Sequence, residues 1–286
     1  MDRNIRNIIT VAQKEFADNL WSPVLLTMLA VFSLIIIAFN YEYGVIEGDF
    51  VGTMVTVKAG IMRGLRMLAY NLGFFLPLFG IALSFDTLLR EEKSGSLNVL
   101  LTHPLYRDNI IAGKMLGSVI SLLFVLCIST LVSVGTLMIF TGESVTGYEL
   151  TRITAFFILN LLYVTLFLGM GLLISSLVKD PSDSLIYSVA SWLFFTVAFL
   201  SVVSAILVAM GMSFEEDGAG GILLTKLAVL SPVYHYHQLM AGIFDASSTL
   251  SNVIAEFWMN IAILIVTPMI LFVLSFIAFL RKDITL

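Results

Sequence analysis

Two histidines, His235 and His237, form the one pair of side chains whose types and spacing suggest a metal site. Imidazole is a common metal ligand, and two rings separated by one residue can bind the same ion when the chain is extended. In a helix the two side chains would point about 200° apart. No third His, Cys or nearby carboxylate completes the ligand set, so packing within the aromatic stretch 234–237 is the preferred interpretation and metal binding the alternative.

A charged segment at 86–117 lies between two long apolar stretches and could recognise another protein. Ser94 or Ser96 can cap a short helix that ends before Pro104. The helix would place three leucines on one face: Leu97, Leu100 and Leu101. Such an apolar face is typical of a helix that seats in a groove of a soluble partner. A helix that lies on the lipid headgroups is the alternative.

Composition indicates where these groups act. The 286 residues are 59% hydrophobic and 12% charged, whereas a soluble domain carries about a quarter charged residues. Apolar runs near the roughly 20 residues that cross a bilayer occur at approximately 23–40, 67–85, 115–140, 153–178, 185–212 and 257–280. The sequence therefore predicts an all-α membrane protein with about six transmembrane helices in one domain, residues 1–286.

The distribution of Lys and Arg predicts the orientation, because cytoplasmic loops retain positive residues. Ten of them lie on the side of the two termini and the charged segment, and five, Arg152 included, lie on the other side. We therefore expect a multi-pass protein of the cell membrane with both termini in the cytoplasm. Its net charge of −5 argues against a nucleic-acid partner, and we interpret the outer charges mainly as solvated loop residues.

Three further segments have recognisable patterns. Residues 1–21 carry an apolar stripe opposite charged residues, which predicts an amphipathic helix on the inner membrane surface. Residues 213–256 are predicted to form an outer re-entrant or interfacial segment. Pro77 and Pro268 fall inside predicted spans, where proline removes a backbone hydrogen bond. Gly113 and Gly117 would permit close approach of the third span to a neighbouring helix.

The absence of certain patterns limits the possible chemistry. No predicted span has an ionisable residue in its apolar middle, whereas ion-coupled carriers normally place such groups there. The pair Gly113-Lys114 lacks the spacing of a phosphate-binding loop, so the chain is not expected to hydrolyse ATP itself. Zinc-hydrolase and serine-hydrolase motifs are also absent. We therefore expect no catalytic residues and no cofactor in this chain.

The charged segment resembles a known family signature. Residues 90–117, REEKSGSLNVLLTHPLYRDNIIAGKMLG, are similar to the cytoplasmic signature of ABC transporter permeases of the type-2, exporter-like class. The match covers Glu91, Gly95, Ser96, Leu97, Leu100, Thr102, Pro104, Arg107, Ile110, Ile111, Gly113 and Lys114. AQKEFADNLWSPVLL resembles the opening elbow helix of these permeases, and SPVYHYHQLMAGIFD resembles their outer segment before the last span. The compact branch that serves sodium extrusion and nitrous-oxide-reductase maturation is the most similar.

This resemblance implies a division of labour between subunits. Two such permeases would pair as a homodimer, and two copies of a soluble ATP-binding subunit, which carry the ATP and Mg²⁺, would dock on the cytoplasmic coupling region 90–104. The implied docking residues are Glu91, Glu92, Gly95, Ser96, Leu97, Leu100, Leu101, Pro104 and Arg107. A lipid-like or amphipathic substrate fits an apolar path without buried charge. An ATP-independent carrier or channel, or a membrane platform for an ATPase, remain alternatives.

Overall fold

The computed structural model describes residues 3–46, 60–93, 107–212, 218–245 and 247–281. Within these ranges every regular element is a helix. Six helical segments are long and apolar enough to cross a membrane: Pro23–Gly44, Ile61–Arg90, Asp108–Thr141, Gly147–Leu177, Pro181–Ala209 and Trp258–Arg281. The predicted all-α membrane class with six spans is therefore confirmed.

The helices, in chain order, are as follows: α1 Arg3–Leu20, α2 Pro23–Tyr41, α3 Ile61–Phe75, α4 Pro77–Ser84, α5 Thr87–Lys93, α6 Arg107–Thr141, α7 Gly147–Leu177, α8 Pro181–Leu193, α9 Phe199–Ala209, α10 Ala219–Ala228, α11 Pro232–Ile243, α12 Leu250–Glu256 and α13 Trp258–Arg281. A π-helical turn, Glu42–Ile46, extends α2, and another, Phe194–Ala198, joins α8 to α9. The second span thus consists of α3, α4 and most of α5.

Local signals set several of these ends. Pro23 occupies the first turn of α2, where its missing N–H has no helical partner in any case. Gly142 adopts a φ of 68° directly after α6, and this left-handed conformation, which favours glycine, ends the helix. Thr146 and Glu149 form a capping box, each side chain accepting a hydrogen bond from the other residue's backbone N–H, and so start α7.

The break at Pro77 determines where two buried polar side chains bind. Proline has no N–H, so the carbonyl of Gly73 lacks the donor that a continuous helix would supply. The Tyr163 hydroxyl donates to that carbonyl at 3.0 Å. The Trp192 indole donates to the carbonyl of Phe74 at 2.9 Å. The predicted irregularity at Pro77 is therefore a break between α3 and α4 stabilised from the fourth and fifth spans.

Helix α7 lies at the centre of the bundle and packs against α13, α4, α6, α8 and α11. Its fully buried residues include Tyr163, Phe167 and Leu172. The fifth span is the opposite case, because most of its large apolar side chains are exposed, as expected for a surface in contact with lipid. The bundle therefore presents one buried helix and several peripheral ones.

The outer segment before the last span is packed more deeply than the sequence indicates. Helix α11 contacts α3, α7 and α13, and it buries Val233, Tyr236 and Met240, each at most 7% exposed. One face of this part of the predicted 213–256 segment thus belongs to the core of the bundle. Whether the segment enters the bilayer from outside stays a prediction.

Candidate functional site

The predicted coupling region can be located by the helices on either side of it. Helix α5, which contains Glu91 and Glu92, leads into it, and α6 leads out of it from Arg107 onward. The remaining predicted docking residues lie outside the described part of the chain: Gly95, Ser96, Leu97, Leu100, Leu101 and Pro104. Their assignment to docking stays a prediction, and the described geometry concerns the two supporting helices.

Helix α5 is held firmly where it approaches the coupling region. Leu88 and Leu89 are buried, at 3% and 0% exposure, and α5 packs on α7. The Thr87 hydroxyl donates to the carbonyl of Leu83 at 2.6 Å. Arg90 pairs with Asp86 one turn earlier, at 2.7 Å between Nη2 and Oδ2. The first support of the coupling region is therefore continuous with the second span.

The second support, the start of α6, lies against α1. These two helices make the most extensive contact between helices in the described structure. A Cβ atom on Gly113 would come within 2.5 Å of the Val11 Cβ, and one on Gly117 within 2.8 Å of the Ala12 carbonyl. Only glycine permits this spacing. The predicted close approach at Gly113 and Gly117 is confirmed, and the neighbouring helix is α1 of the same chain.

Polar side chains continue the seam between α1 and α6. Lys114 Nζ lies 2.7 Å from Glu15 Oε2, and both side chains are at least nine-tenths buried. Further along, the Asn19 amide donates to the Ser121 hydroxyl at 3.2 Å. The rings of Phe16 and Phe124 meet edge to face, with centroids 6.0 Å apart. The amphipathic helix is therefore bonded side by side to the base of the third span.

The first support lies near the C-terminal end of α1. Asn19, at that end, and Ser22 line a cleft with Asp86 and Arg90. We call the group formed by Glu15, Asp86, Arg90 and Lys114 the inner junction.

The apolar stripe of α1 has a different environment. Ile5 and Ile9 are 49% and 40% exposed, and Trp21 is 79% exposed. Lipid contact is the expected role of such a stripe beside an interfacial tryptophan. Contact of α1 with the inner membrane surface stays a prediction.

The two histidines occupy different environments. His235 is fully buried, and its ring nitrogens lie 2.8 Å from the Asn260 side chain and 2.8 Å from the carbonyl of Val229. A carbonyl oxygen can only accept, so Nε2–H donates to Val229, and Nδ1 faces Oδ1 of the Asn260 side chain. His237 stacks on Tyr70, with centroids 5.3 Å apart, and burial lowers its pKa.

A shared metal ion is not supported by this arrangement. Both nitrogens of His235 are already engaged, and the described residues contain no cluster of three metal-ligating side chains. The geometry instead supports the structural interpretation of the pair.

Comparison with known proteins identifies the family. The family described as ABC-2 family transporter protein matches residues 9–284. The chain belongs to this family. It is similar to the probable ABC transporter permease protein NosY of Pseudomonas aeruginosa, with 27% identity over 243 residues that cover 84% of this chain and 83% of the relative. A protein with the same description from Stutzerimonas stutzeri is 24% identical over 255 residues, or 88% and 87% of the two chains.

The expected resemblance to ABC-2 permeases is therefore confirmed. The chain is the transmembrane permease subunit of an ABC transporter. This family implies association with an ATP-binding subunit.

Arg152 is the residue of this permease that sequence analysis misplaced. The sequence places it among the outer charges, which we interpret mainly as solvated loop residues. In the structure α7 begins at Gly147, so Arg152 lies in the second turn of this helix, and it is only 2% exposed. Nη1 donates to the carbonyls of Ile243 and Asp245, the latter at 2.8 Å, and Nη2 donates to the carbonyl of Ser248 and the hydroxyl of Tyr148. We call this group the outer anchor.

The outer anchor fixes the end of α11. The last carbonyls of a helix lack helical donors and carry partial negative charge. A guanidinium at this end donates hydrogen bonds to these carbonyls, and its positive charge is attracted to them. The Arg152 Cζ also lies 4.6 Å from the centre of the Tyr148 ring. Next to it, the N–H and hydroxyl of Ser247 donate to the Asp245 carboxylate and lower its pKa, with a smaller contribution from Arg152.

Aromatic and amide groups hold the middle of α11. Tyr236 stacks on Tyr163 at 4.2 Å between centroids, and its hydroxyl donates to the Asn160 side chain at 2.8 Å. Burial raises the pKa of Tyr236, so it remains a neutral donor. The aromatic stretch at 234–237 can be recognised from the sequence alone, but no local pattern predicts that Tyr236 binds Asn160.

Proposed function

We propose that this permease works with a soluble ATP-binding subunit that docks on the coupling region 90–104 and hydrolyses ATP with Mg²⁺. The chain itself supplies the membrane path and no catalytic residue. The observation that carries the proposal is the inner junction, in which α5 and α6, the two helices that flank residues 94–106, both lie near α1. A short connection held at both ends is suited to transmit force from a docked partner.

The orientation follows from the same region. A soluble ATP-binding subunit must reach residues 90–104 from the cytoplasm, which places both termini of this six-span chain on that side. The excess of Lys and Arg there supports the orientation. We therefore assign the permease to the cell membrane as a multi-pass protein, and we propose a homodimer served by two ATP-binding subunits.

The substrate class is proposed from the polarity of the spans. In the described spans every Asp, Glu, Lys and Arg lies within about two turns of an end, at 3.6 residues per turn. The polar groups further inside are amides and hydroxyls such as Asn160, Tyr163 and Ser188. A path without fixed charge favours export of a lipid-like or amphipathic molecule. It argues against an ATP-independent, ion-coupled carrier, which normally needs buried ionisable groups.

The docking proposal is tested by changing two of the predicted anchors together. Leu97→Asp with Leu101→Asp should leave the permease folded and abolish co-purification of the ATP-binding subunit, because charged side chains cannot enter an apolar groove. Leu177→Asp is the matched control, since Leu177 is 68% exposed at the end of α7 on the same predicted side. Full retention of the subunit by the double variant would contradict docking at this region.

A further inference from the structure

We infer that a cavity at the end of the first span farthest from α1 binds the ammonium head group of an amphipathic molecule. The cavity has a volume of about 210 Å³ and lies where α2 and its π-helical turn meet α3. Its lining includes three side chains with oxygen acceptors: Asn40, Glu42 and Asn71. We call this space the outer pocket. The inference deepens the proposed function and rests on it for the side of the membrane and for transport.

Asn40 supplies a buried acceptor to the outer pocket. It is 1% exposed, and its amide nitrogen donates to the Ser133 carbonyl at 3.0 Å and to the Thr136 hydroxyl at 2.7 Å, both on α6. A carbonyl oxygen can only accept, so these contacts fix the orientation of the amide. Its Oδ1 is therefore the end left toward the cavity, where no donor of the described residues bonds to it. A buried acceptor of this kind favours a ligand that brings a donor.

The other two polar groups are also acceptors. The Asn71 amide nitrogen donates to the carbonyl of Met67, one turn earlier, at 3.0 Å, which leaves Oδ1 to accept. Glu42 is exposed and adds a carboxylate. An ammonium has three N–H donors and no acceptor, so it complements two amide oxygens and one carboxylate. A negatively charged head group would instead be repelled by Glu42.

Tight packing behind the outer pocket holds these acceptors in place. A Cβ atom on Gly44 would come within 2.6 Å of the Phe140 Cβ, and one on Gly64 would overlap a methyl group of Leu137. The end of the first span and the start of α3 therefore both lie directly against α6. The turn Glu42–Ile46 is π-helical, a conformation that occurs frequently at functional sites. The pocket is thus formed before a ligand arrives.

The size of the outer pocket limits what enters it. Pockets that enclose a whole drug-sized ligand measure roughly 300–1,000 Å³, so a cavity of about 210 Å³ suits a head group whose chain remains outside. Met67, in the pocket wall, is 48% exposed, and Leu34 and Ile37 on α2 are 66% and 36% exposed. An attached alkyl chain would lie on this apolar surface, in contact with lipid.

The ammonium has two possible sources, a zwitterionic phospholipid and a free amphipathic amine. Arg63 precedes Met67 by four residues, so it lies one turn further along the same face of α3, and it is exposed. A phosphate between the ammonium and the chain would meet this cation. Arg63 therefore distinguishes the two sources, because a simple amine has no group for it to bind.

Thermal unfolding of the purified permease in detergent tests binding directly, since a ligand that binds only the folded state raises the melting temperature. Octylamine and octan-1-ol have the same chain and differ in the head group. We expect octylamine to raise the melting temperature and octan-1-ol to leave it unchanged. An equal rise with octan-1-ol, or with sodium chloride at the same concentration, would overturn the inference.

Matched variants locate the binding. Glu42→Gln should weaken octylamine binding about tenfold, because it removes a charged acceptor, whereas Glu256→Gln, at another exposed carboxylate, should not. Met67→Phe fills part of the cavity and should also weaken binding, and Met259→Phe, at a 50% exposed position of α13, is its control. Octylamine binding that is unchanged in both Glu42→Gln and Met67→Phe would overturn the inference.

A second pair of probes identifies the source of the ammonium. Dihexanoyl phosphatidylethanolamine carries an ammonium, and dihexanoyl phosphatidylglycerol has the same acyl chains without one. A rise in melting temperature with the first lipid alone, abolished by Arg63→Gln while octylamine still binds, assigns the site to a phospholipid. A rise with octylamine and with neither lipid assigns it to a free amine. An equal rise with the two lipids would contradict recognition of the ammonium.

The link to transport is tested with the ATP-binding subunit present. We expect octylamine to increase ATP hydrolysis by the complex, and Glu42→Gln to lose this increase. Octylamine binding that leaves ATP hydrolysis unchanged would overturn the link between the outer pocket and transport. If the parent permease binds no ATP-binding subunit, the proposed function fails, whereas the melting temperatures still test the outer pocket.

Discussion

The inner junction and the outer anchor each place a buried basic side chain against a neighbouring helix or loop, but they bind it differently. At the outer anchor, Arg152 donates to backbone carbonyls at the end of α11 and in the loop beyond it. At the inner junction, Lys114 meets a carboxylate on the flexible side chain of Glu15. Backbone acceptors cannot rotate away, whereas a glutamate side chain can change its rotamer.

This difference indicates which end is built to stay fixed. The planar guanidinium of Arg152 makes several directional bonds, which define the position of α11 precisely. The ammonium of Lys114 is a point charge, and its partner is a single carboxylate on a flexible side chain. We therefore expect the outer side of the permease to act as a rigid support, and the inner side, next to the coupling region, to carry the movement.

The largest expected effect is at the outer anchor. Arg152→Met should lower the free energy of unfolding by about 3–6 kcal/mol, since it removes hydrogen bonds from a charged donor to three carbonyls at about 1.5–3 kcal/mol each. The carbonyls of Asp245 and Ser248 keep weaker donors from Ser248 and Tyr148, which offset part of the loss. Arg152→Lys should retain part of the stability. Thermal unfolding in detergent measures both, with Lys226→Met as the exposed basic control. Equal melting temperatures for Arg152→Met and Lys226→Met would show that Arg152 does not stabilise the end of α11.

A somewhat smaller effect is expected at the inner junction. Lys114→Met should cost about 3–5 kcal/mol because it leaves the Glu15 carboxylate buried without its partner. The double variant Glu15→Gln with Lys114→Met should regain much of that loss, since no charge remains buried. Thermal unfolding of the single and double variants gives the coupling energy directly. Additive losses would show that the two side chains do not interact.

The break at Pro77 offers a test of a single neutral hydrogen bond. Tyr163→Phe keeps the ring stacked on Tyr236 but removes the donor to the carbonyl of Gly73, at a cost of about 1–2 kcal/mol. Tyr187→Phe, at a 56% exposed position of α8, is the control and should be neutral. The difference between their unfolding midpoints is the quantity of interest. If Tyr163→Phe is as stable as the control, another donor satisfies Gly73.

The smallest expected effect concerns Asp245, which lies beside the outer anchor. Its lowered pKa means that the ionised form is stabilised in the folded protein, so this contribution is present above the ordinary Asp pKa and is lost as the pH falls through the folded value. Asp245→Asn should therefore reduce the loss of stability below about pH 4. Melting curves between neutral and acidic pH would test this. A variant that parallels the parent throughout would contradict it.

Sequence patterns predicted the parts of this permease that depend on local information. Apolar run length located the six spans, Pro77 located the break in the second span, and Gly113 with Gly117 indicated a close helix contact. The sequence could not predict which helix makes that contact, because no local pattern shows whether the partner is α1 or a helix of a second subunit. Arg152 was misplaced for a related reason. A charged residue near the end of an apolar run is usually solvated, and its burial depends on distant residues 243–248.

The most direct test of the central claim is affinity purification of the permease from its native membrane, with mass spectrometry of the bound proteins and an ATPase assay of the complex. The account predicts recovery of a soluble ATP-binding subunit with ATPase activity, and loss of both when Leu97→Asp and Leu101→Asp are combined. A well-folded permease that repeatedly purifies alone, without ATPase activity, would contradict the account.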